Sequence, residues 1–179
     1  MRPEKFTIKL REALNGTLEL ASKNDNPEMT CEHFLQVLLE QPDGLAKPLL
    51  EKLGVAIPAL EGRLRDAVAT FSCVRGAAQP HFSRELSKVL DAAEGEMSKL
   101  KDEFVSVEHF LLALLASNSS AAKMLKESGV TQERLMSALA SVRGNQRVTD
   151  ADPEGKYQTL EKYGRDLTAL AKKGKIDPV

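Results

Sequence analysis

The sequence has no tryptophan, two tyrosines and six phenylalanines, so aromatic residues make up only 4% of its 179 positions. Alternating β-branched and aromatic runs, the mark of strands, are correspondingly scarce. Cysteine is limited to Cys31 and Cys73, too few for a disulfide framework. No apolar stretch approaches the ~20 residues that a membrane-spanning helix needs. The opening "MRPEKFTIKL" carries charges where a secretory signal has its apolar core. These absences predict a cytoplasmic protein with no membrane contact. Neither charge sign dominates: 25 Lys and Arg against 26 Asp and Glu leave a net charge of −1. A basic footprint for nucleic acid is therefore missing. What fills the chain instead is Leu, Ala, Glu and Lys, the residues with the strongest helix propensity, and they predict an all-α protein.

One phrase occurs twice. "TCEHFLQVLL" begins at Thr30 and "SVEHFLLALL" at Ser106, and the match extends in both directions. Phe6, Leu10 and Leu14 recur 76 residues later as Phe82, Leu86 and Leu90. After the phrase the offset falls to 75, so that Leu50, Gly54 and Val55 answer to Leu125, Gly129 and Val130. The chain is a tandem duplication, with repeat 1 over about residues 1–70 and repeat 2 over about 77–142. Within each copy the apolar spacing predicts four helices. Thr30 and Ser106 stand as N-caps, whose hydroxyls can accept from an orphan backbone N–H. Glu32 and Glu108 follow in the first turn, where the helix dipole favours negative charge. Gly54 suits a C′ position, and Pro58 suits the first turn of a fourth helix. A unit of this size cannot bury both its faces, so the two copies are expected to pack as one globular domain over residues 1–142. The polar stretch "RGNQRVTDADPEG" reads as a flexible linker over 143–155. A terminal helix follows, with Tyr157, Leu160, Tyr163, Leu167 and Leu170 at helical spacing.

Catalytic signatures are missing. The patterns GxSxG, HExxH and GxxxxGK[ST] do not occur, and "KKGK" near Lys172 lacks both the first glycine and the hydroxyl residue of a phosphate loop. The chain is expected not to be an enzyme and to hold no cofactor or metal. Cys31, Glu32 and His33 are adjacent and raise a rival reading as a metal or thiol site. Against it, the second copy has Val107 in place of Cys31, and no further pair supplies four ligands.

The duplicated unit with "T/S-x-E-H-F-L-x-x-L-L" at its second helix resembles the N-terminal domain of Clp-type AAA+ chaperones. The tail "YQTLEKYGRDLTALAKKGKIDPV" is similar to the entry into the first ATPase module of the ClpB disaggregase branch, which places residues 156–179 at the truncated start of that module. The resemblance implies a module that engages unfolded or aggregated client polypeptide and passes it to a hexameric ring. It implies ATP and Mg²⁺ as cofactors of the parent ring, and cooperation with a DnaK-type chaperone. An adaptor- or peptide-docking N-domain of a protease- or secretion-associated Clp ATPase is the alternative. Carried over residue by residue, the resemblance implies client-binding positions at Thr7, Asp102 and Glu108, with groove positions at Leu90, Ala92 and His109. On the residues alone, Thr7 and Glu108 also suit purely helix-start roles.

Overall fold

The computed structural model describes residues 2–76 and 79–157. Eight α-helices lie wholly among them: α1 (Ile8–Lys23), α2 (Cys31–Glu40), α3 (Ala46–Lys52), α4 (Ile57–Ala69), α5 (Arg84–Lys99), α6 (Val107–Ala116), α7 (Ser120–Glu127) and α8 (Gln132–Arg143), and residues 153–157 are helical as well. The first four form repeat 1 and the last four repeat 2, as the duplication predicts. Local signals set the boundaries. Thr7, Ser83, Ser119 and Thr131 each accept a backbone N–H at the start of α1, α5, α7 and α8. Gly54 and Gly129 both sit at φ +83°, the left-handed region that ends a helix most easily at glycine. The following N–H turns back in each case, Val55 to Leu50 O and Val130 to Leu125 O, both at 3.1 Å.

The copies interlock by reciprocal contacts. Phe6, ahead of α1, bridges in parallel to Val105, ahead of α6. The same exchange in the other direction makes a two-residue pair, β1 (Glu28–Met29) against β2 (His81–Phe82). At the centre Phe34 of α2 meets Phe110 of α6 with ring centroids 4.3 Å apart. Each of these rings is the other's counterpart in the duplication. The central helices α2 and α6 are buried over nearly their whole circumference, which explains why their sequence is apolar over so wide an arc. Elsewhere the core takes one face of each helix.

The segment expected as a flexible linker differs from that expectation where it is described. Residues 144–147 are exposed, but beyond them Val148 and Glu154 are fully enclosed and Tyr157 nearly so. Val148 lies in a non-helical stretch, whereas Glu154 and Tyr157 fall three apart in a helical one that starts at residue 153, too short a pattern to show a period on its own. The expected terminal helix and start of an ATPase module fall almost wholly on residues 158–179, outside the described residues.

Candidate functional site

The parallel bridge at Phe6 is what assembles the site. Val105 N–H donates to Lys5 O (2.8 Å) and Thr7 N–H to Val105 O (2.9 Å), which fixes the start of α1 beside the start of α6. Thr7 caps α1, accepting from Leu10 N–H at 3.3 Å. Asp102 ends the turn after α5, where Lys101 takes a positive φ of 58°. Glu108 stands in the first turn of α6, and Arg143 arrives from the last turn of α8.

His109 has a different role from the one expected. Ser106 N–H donates to its Nδ1 at 2.9 Å, which leaves the ring proton on Nε2, 2.9 Å from Asp102 Oδ2. The other copy repeats the arrangement: Thr30 N–H donates to His33 Nδ1 (3.2 Å), and His33 Nε2 meets Asn26 Oδ1 (3.0 Å). These are capping boxes with histidine at N3 in place of the usual Glu or Gln. The spacing T/S-x-x-H was the signal that could have found them. His109 therefore lies buried under α6 as a brace rather than on a groove. Burial pushes the His33 imidazole below its ordinary value, with Glu32 opposing.

The carboxylate at 102 separates the two copies. Where repeat 1 has neutral Asn26, repeat 2 has Asp102, and Arg143 Nη2 contacts its oxygens at 2.7 and 2.8 Å. Burial alone would raise its pKa, but hydrogen bonds from His109, Arg143 and Val148 N–H outweigh this and hold it at about 2. Glu32 and Glu108 diverge likewise. Glu32 accepts from Ser120 Oγ (2.6 Å) and Ala121 N–H (3.1 Å), tying α2 to the start of α7 in the other repeat. Glu108 caps nothing comparable: both its oxygens are buried without a hydrogen-bond donor among the described residues, and Arg143 Nη1 approaches only to 3.6 Å.

Over this cluster runs a strap, residues 148–157. Val148 N–H donates to Asp102 Oδ1 (2.8 Å), Glu103 N–H to Val148 O (2.8 Å), and Ile8 N–H to Ala151 O (2.7 Å). Glu154 Oε1 accepts from Thr7 Oγ1 at 3.0 Å. Enclosure and the nearby Glu108 carboxylate push Glu154 up to about 7. Burial and Glu108 also raise the Tyr157 phenol.

Of the six positions the resemblance implies, the structure brings together Thr7, Asp102, Glu108 and His109, all beneath the strap. Leu90 and Ala92 do not join them. Leu90 is fully buried in the core, whereas Ala92 is exposed on the opposite side of α5. Residues two apart on a helix point to nearly opposite faces, so the pair cannot line one groove. Ala92 lines a separate groove of about 330 Å³ between α5 and α6, with Val89 and Ala113. Its counterpart, about 420 Å³, lies between α1 and α2 beside Gly16 and Val37. The Cys31–Glu32–His33 trio is dispersed by these roles: the Cys31 thiol, pushed up to about 12 chiefly by burial, serves the core. Among the described residues no group of three His, Cys, Asp or Glu side chains is placed to hold a metal ion, and no helix is long and apolar enough to cross a membrane.

The family model described as the Clp repeat N-terminal domain matches residues 5–128. The chain belongs to the Clp N-terminal repeat family. It is 42% identical over 175 residues to the chaperone protein ClpB of Corynebacterium glutamicum, a match that covers 97% of this chain and 20% of that protein. The chain thus spans about a fifth of the length of the curated ClpB relatives it matches. The crystal structure of the Hsp104 N-terminal domain from Candida albicans superposes with a TM-score of 0.72 at 23% identity, over 83% of this chain and 97% of that one. A ClpV N-domain in complex with a VipB peptide superposes with a TM-score of 0.64 at 26% identity, over 77% and 86% of the two chains.

Proposed function

We propose that this Clp N-domain is the client-binding module of an ATP-dependent protein disaggregase, engaging unfolded or aggregated polypeptide and passing it to a hexameric ring. ATP and Mg²⁺ serve that ring and not this chain, and a DnaK-type chaperone is the cooperating partner. The whole assembly works in the cytoplasm. The observation that carries the reading is the cleft between the starts of α1 and α6, where an extended segment is held largely by backbone hydrogen bonds to Asp102, Glu103 and Ile8. Such bonds suit clients of unrelated sequence, since every polypeptide offers the same N–H and C=O groups. Likeness to ClpB chaperones at about 40% identity supports the disaggregase branch.

The alternative, an N-domain that docks an adaptor or one defined peptide, is favoured by the ClpV neighbour whose structure holds a peptide. Fluorescence anisotropy separates the two. Binding of a permanently unfolded protein, weakened in the Glu108→Ala variant at a nearly unchanged thermal midpoint, is the expected result. Indifference to unfolded protein would move the reading to the docking alternative.

A further inference from the structure

We propose that the surface framed by Thr7, Asp102 and Glu108 is a site for a polypeptide segment, extended at first and then helical, which residues 148–157 of this same chain occupy, so that a partner binds by displacing them. This rests on the peptide-capture reading above and adds what controls it. The strap binds as a guest would. Its backbone groups at Val148 and Ala151 make three hydrogen bonds of 2.7–2.8 Å to Asp102, Glu103 and Ile8, and Val148 and Tyr157 are buried as apolar anchors. None of these bonds depends on strap sequence, so another extended segment with similarly placed anchors can take them over.

Two strap side chains fit poorly: the Tyr157 hydroxyl is buried with no hydrogen-bond partner among the described residues, and Glu154 is the costlier of the two. Glu154 is fully enclosed and accepts hydrogen bonds only on Oε1, from Thr7 Oγ1 at 3.0 Å and Val107 N–H at 3.5 Å. Its Oε2 has no donor among the described residues. Beside it stands Glu108 from α6, and Tyr157 of the strap lies among Glu154, Glu108, Asp102 from the turn after α5 and Arg143 from α8. Arg143 is committed to Asp102 and reaches Glu108 only at 3.6 Å. Three carboxyl groups therefore share an enclosed space with one guanidinium. A segment carrying Lys, Arg or Gln where the strap carries Glu154 relieves this repulsion and wins the site. The favoured partner is a segment with an apolar anchor in its extended part and a basic side chain in the helical turn that follows.

Proton linkage gives the proposal a second handle. Glu154 is raised to about 7 in the docked strap, against about 4.3 for a free glutamate. The docked state thus holds the proton more firmly. Docking is strongest below the free value, weakens as pH rises towards 7, and levels off above it.

The test uses the full chain as wild type, Glu154→Gln, Val148→Asp and Tyr157→Ala, each checked for fold by thermal midpoint. Tyr157→Ala carries the test if Val148→Asp fails to fold. Amide exchange, corrected for intrinsic rates, is followed at Ile8 and Val148. Wild-type protection is expected to fall about tenfold or more between pH 5 and 7.5, and to stay level in Glu154→Gln. At pH 7.5 a fluorescent peptide of the strap sequence, residues 146–157, carrying Glu154→Lys is expected to bind Val148→Asp and Tyr157→Ala at least about fivefold more tightly than wild type. Glu154→Gln should bind it more weakly, because the competent open fraction sets apparent affinity. The same peptide with Glu154 kept is expected to bind less tightly. Wild-type protection that ignores pH overturns the role of Glu154. Equal affinity for wild type and for variants with a released strap overturns the strap as occupant and leaves peptide capture standing. No binding by any variant overturns peptide capture itself.

Discussion

Glu32 and Glu108 occupy the same place in the repeated phrase, and the structure predicts opposite consequences for losing them. Glu32→Ala removes the acceptor for Ser120 Oγ and Ala121 N–H and leaves the start of α7 unsatisfied, a cost of about 1–3 kcal/mol in urea unfolding. Glu108→Gln removes a carboxylate that has no hydrogen-bond donor among the described residues. It is expected to bring the Glu154 pKa, now about 7, back towards the usual glutamate range. Carbon-13 NMR titration of the Glu154 carboxyl checks this, and an unmoved pKa would mean that burial alone raises it. Acid stability separates two further residues by sign. The depressed Asp102, at about 2, stabilises the fold above the ordinary aspartate value, and that contribution is lost as pH falls through about 2. His33, held neutral by burial, stabilises above the ordinary imidazole value and is lost as pH falls below it. In the Glu154→Gln background, which removes the opposing rise from that carboxyl, stability measured from pH 7 downwards should therefore decline in two stages. The first is expected to disappear in His33→Gln and the second to shrink in Asp102→Asn.

Between elements, the closest approach of α1 to α2 depends on one glycine. A Cβ built at Gly16 would lie 2.9 Å from Val37 Cγ1, and a β-branched side chain in a helix has little rotamer freedom to move away. The second copy solves the same contact differently, with Ala92 and Ala113 at the matching positions. Gly16→Ala is expected to cost about 1–3 kcal/mol by overpacking, offset by about 0.5–1 kcal/mol of helix propensity. Adding Val37→Ala recreates the second copy's pair. The double variant should then be more stable than the sum of the singles by at least about 0.5 kcal/mol. Additive urea midpoints would show that the two helices have slack at this contact.

At the scale of the molecule, the reciprocal bridges and the Phe34–Phe110 contact make one core from two copies. Leu114→Ala opens a cavity in that core and should cost about 2–5 kcal/mol. Because the core is shared, native-state amide exchange should show the same loss of protection in α2 as in α6. A loss confined to α6 would mean the repeats unfold as separate units. The chain also lacks a glycine-rich phosphate cradle. Calorimetric titration with ATP is expected to be flat, and saturable micromolar binding would contradict that expectation.

The duplication, the helix caps, the C′ glycines and the inward face of each helix were legible in the sequence because they are short-range. A cap or an apolar stripe involves residues three or four apart, and the same pattern appearing twice at an offset of 76 reinforced each reading. What decides the candidate site is long-range. Asp102 meets Arg143 across 41 positions and Thr7 meets Glu154 across 147, and no local period marks either contact. The sequence placed Glu32 and Glu108 in identical phrases. Only the packing gave one a helix start to cap and left the other facing a second buried carboxylate. The linker reading differs from the structure over residues 148–155 for the same reason: buried Val148 and Glu154 and a few backbone hydrogen bonds hold the strap, and backbone groups carry no sequence signature.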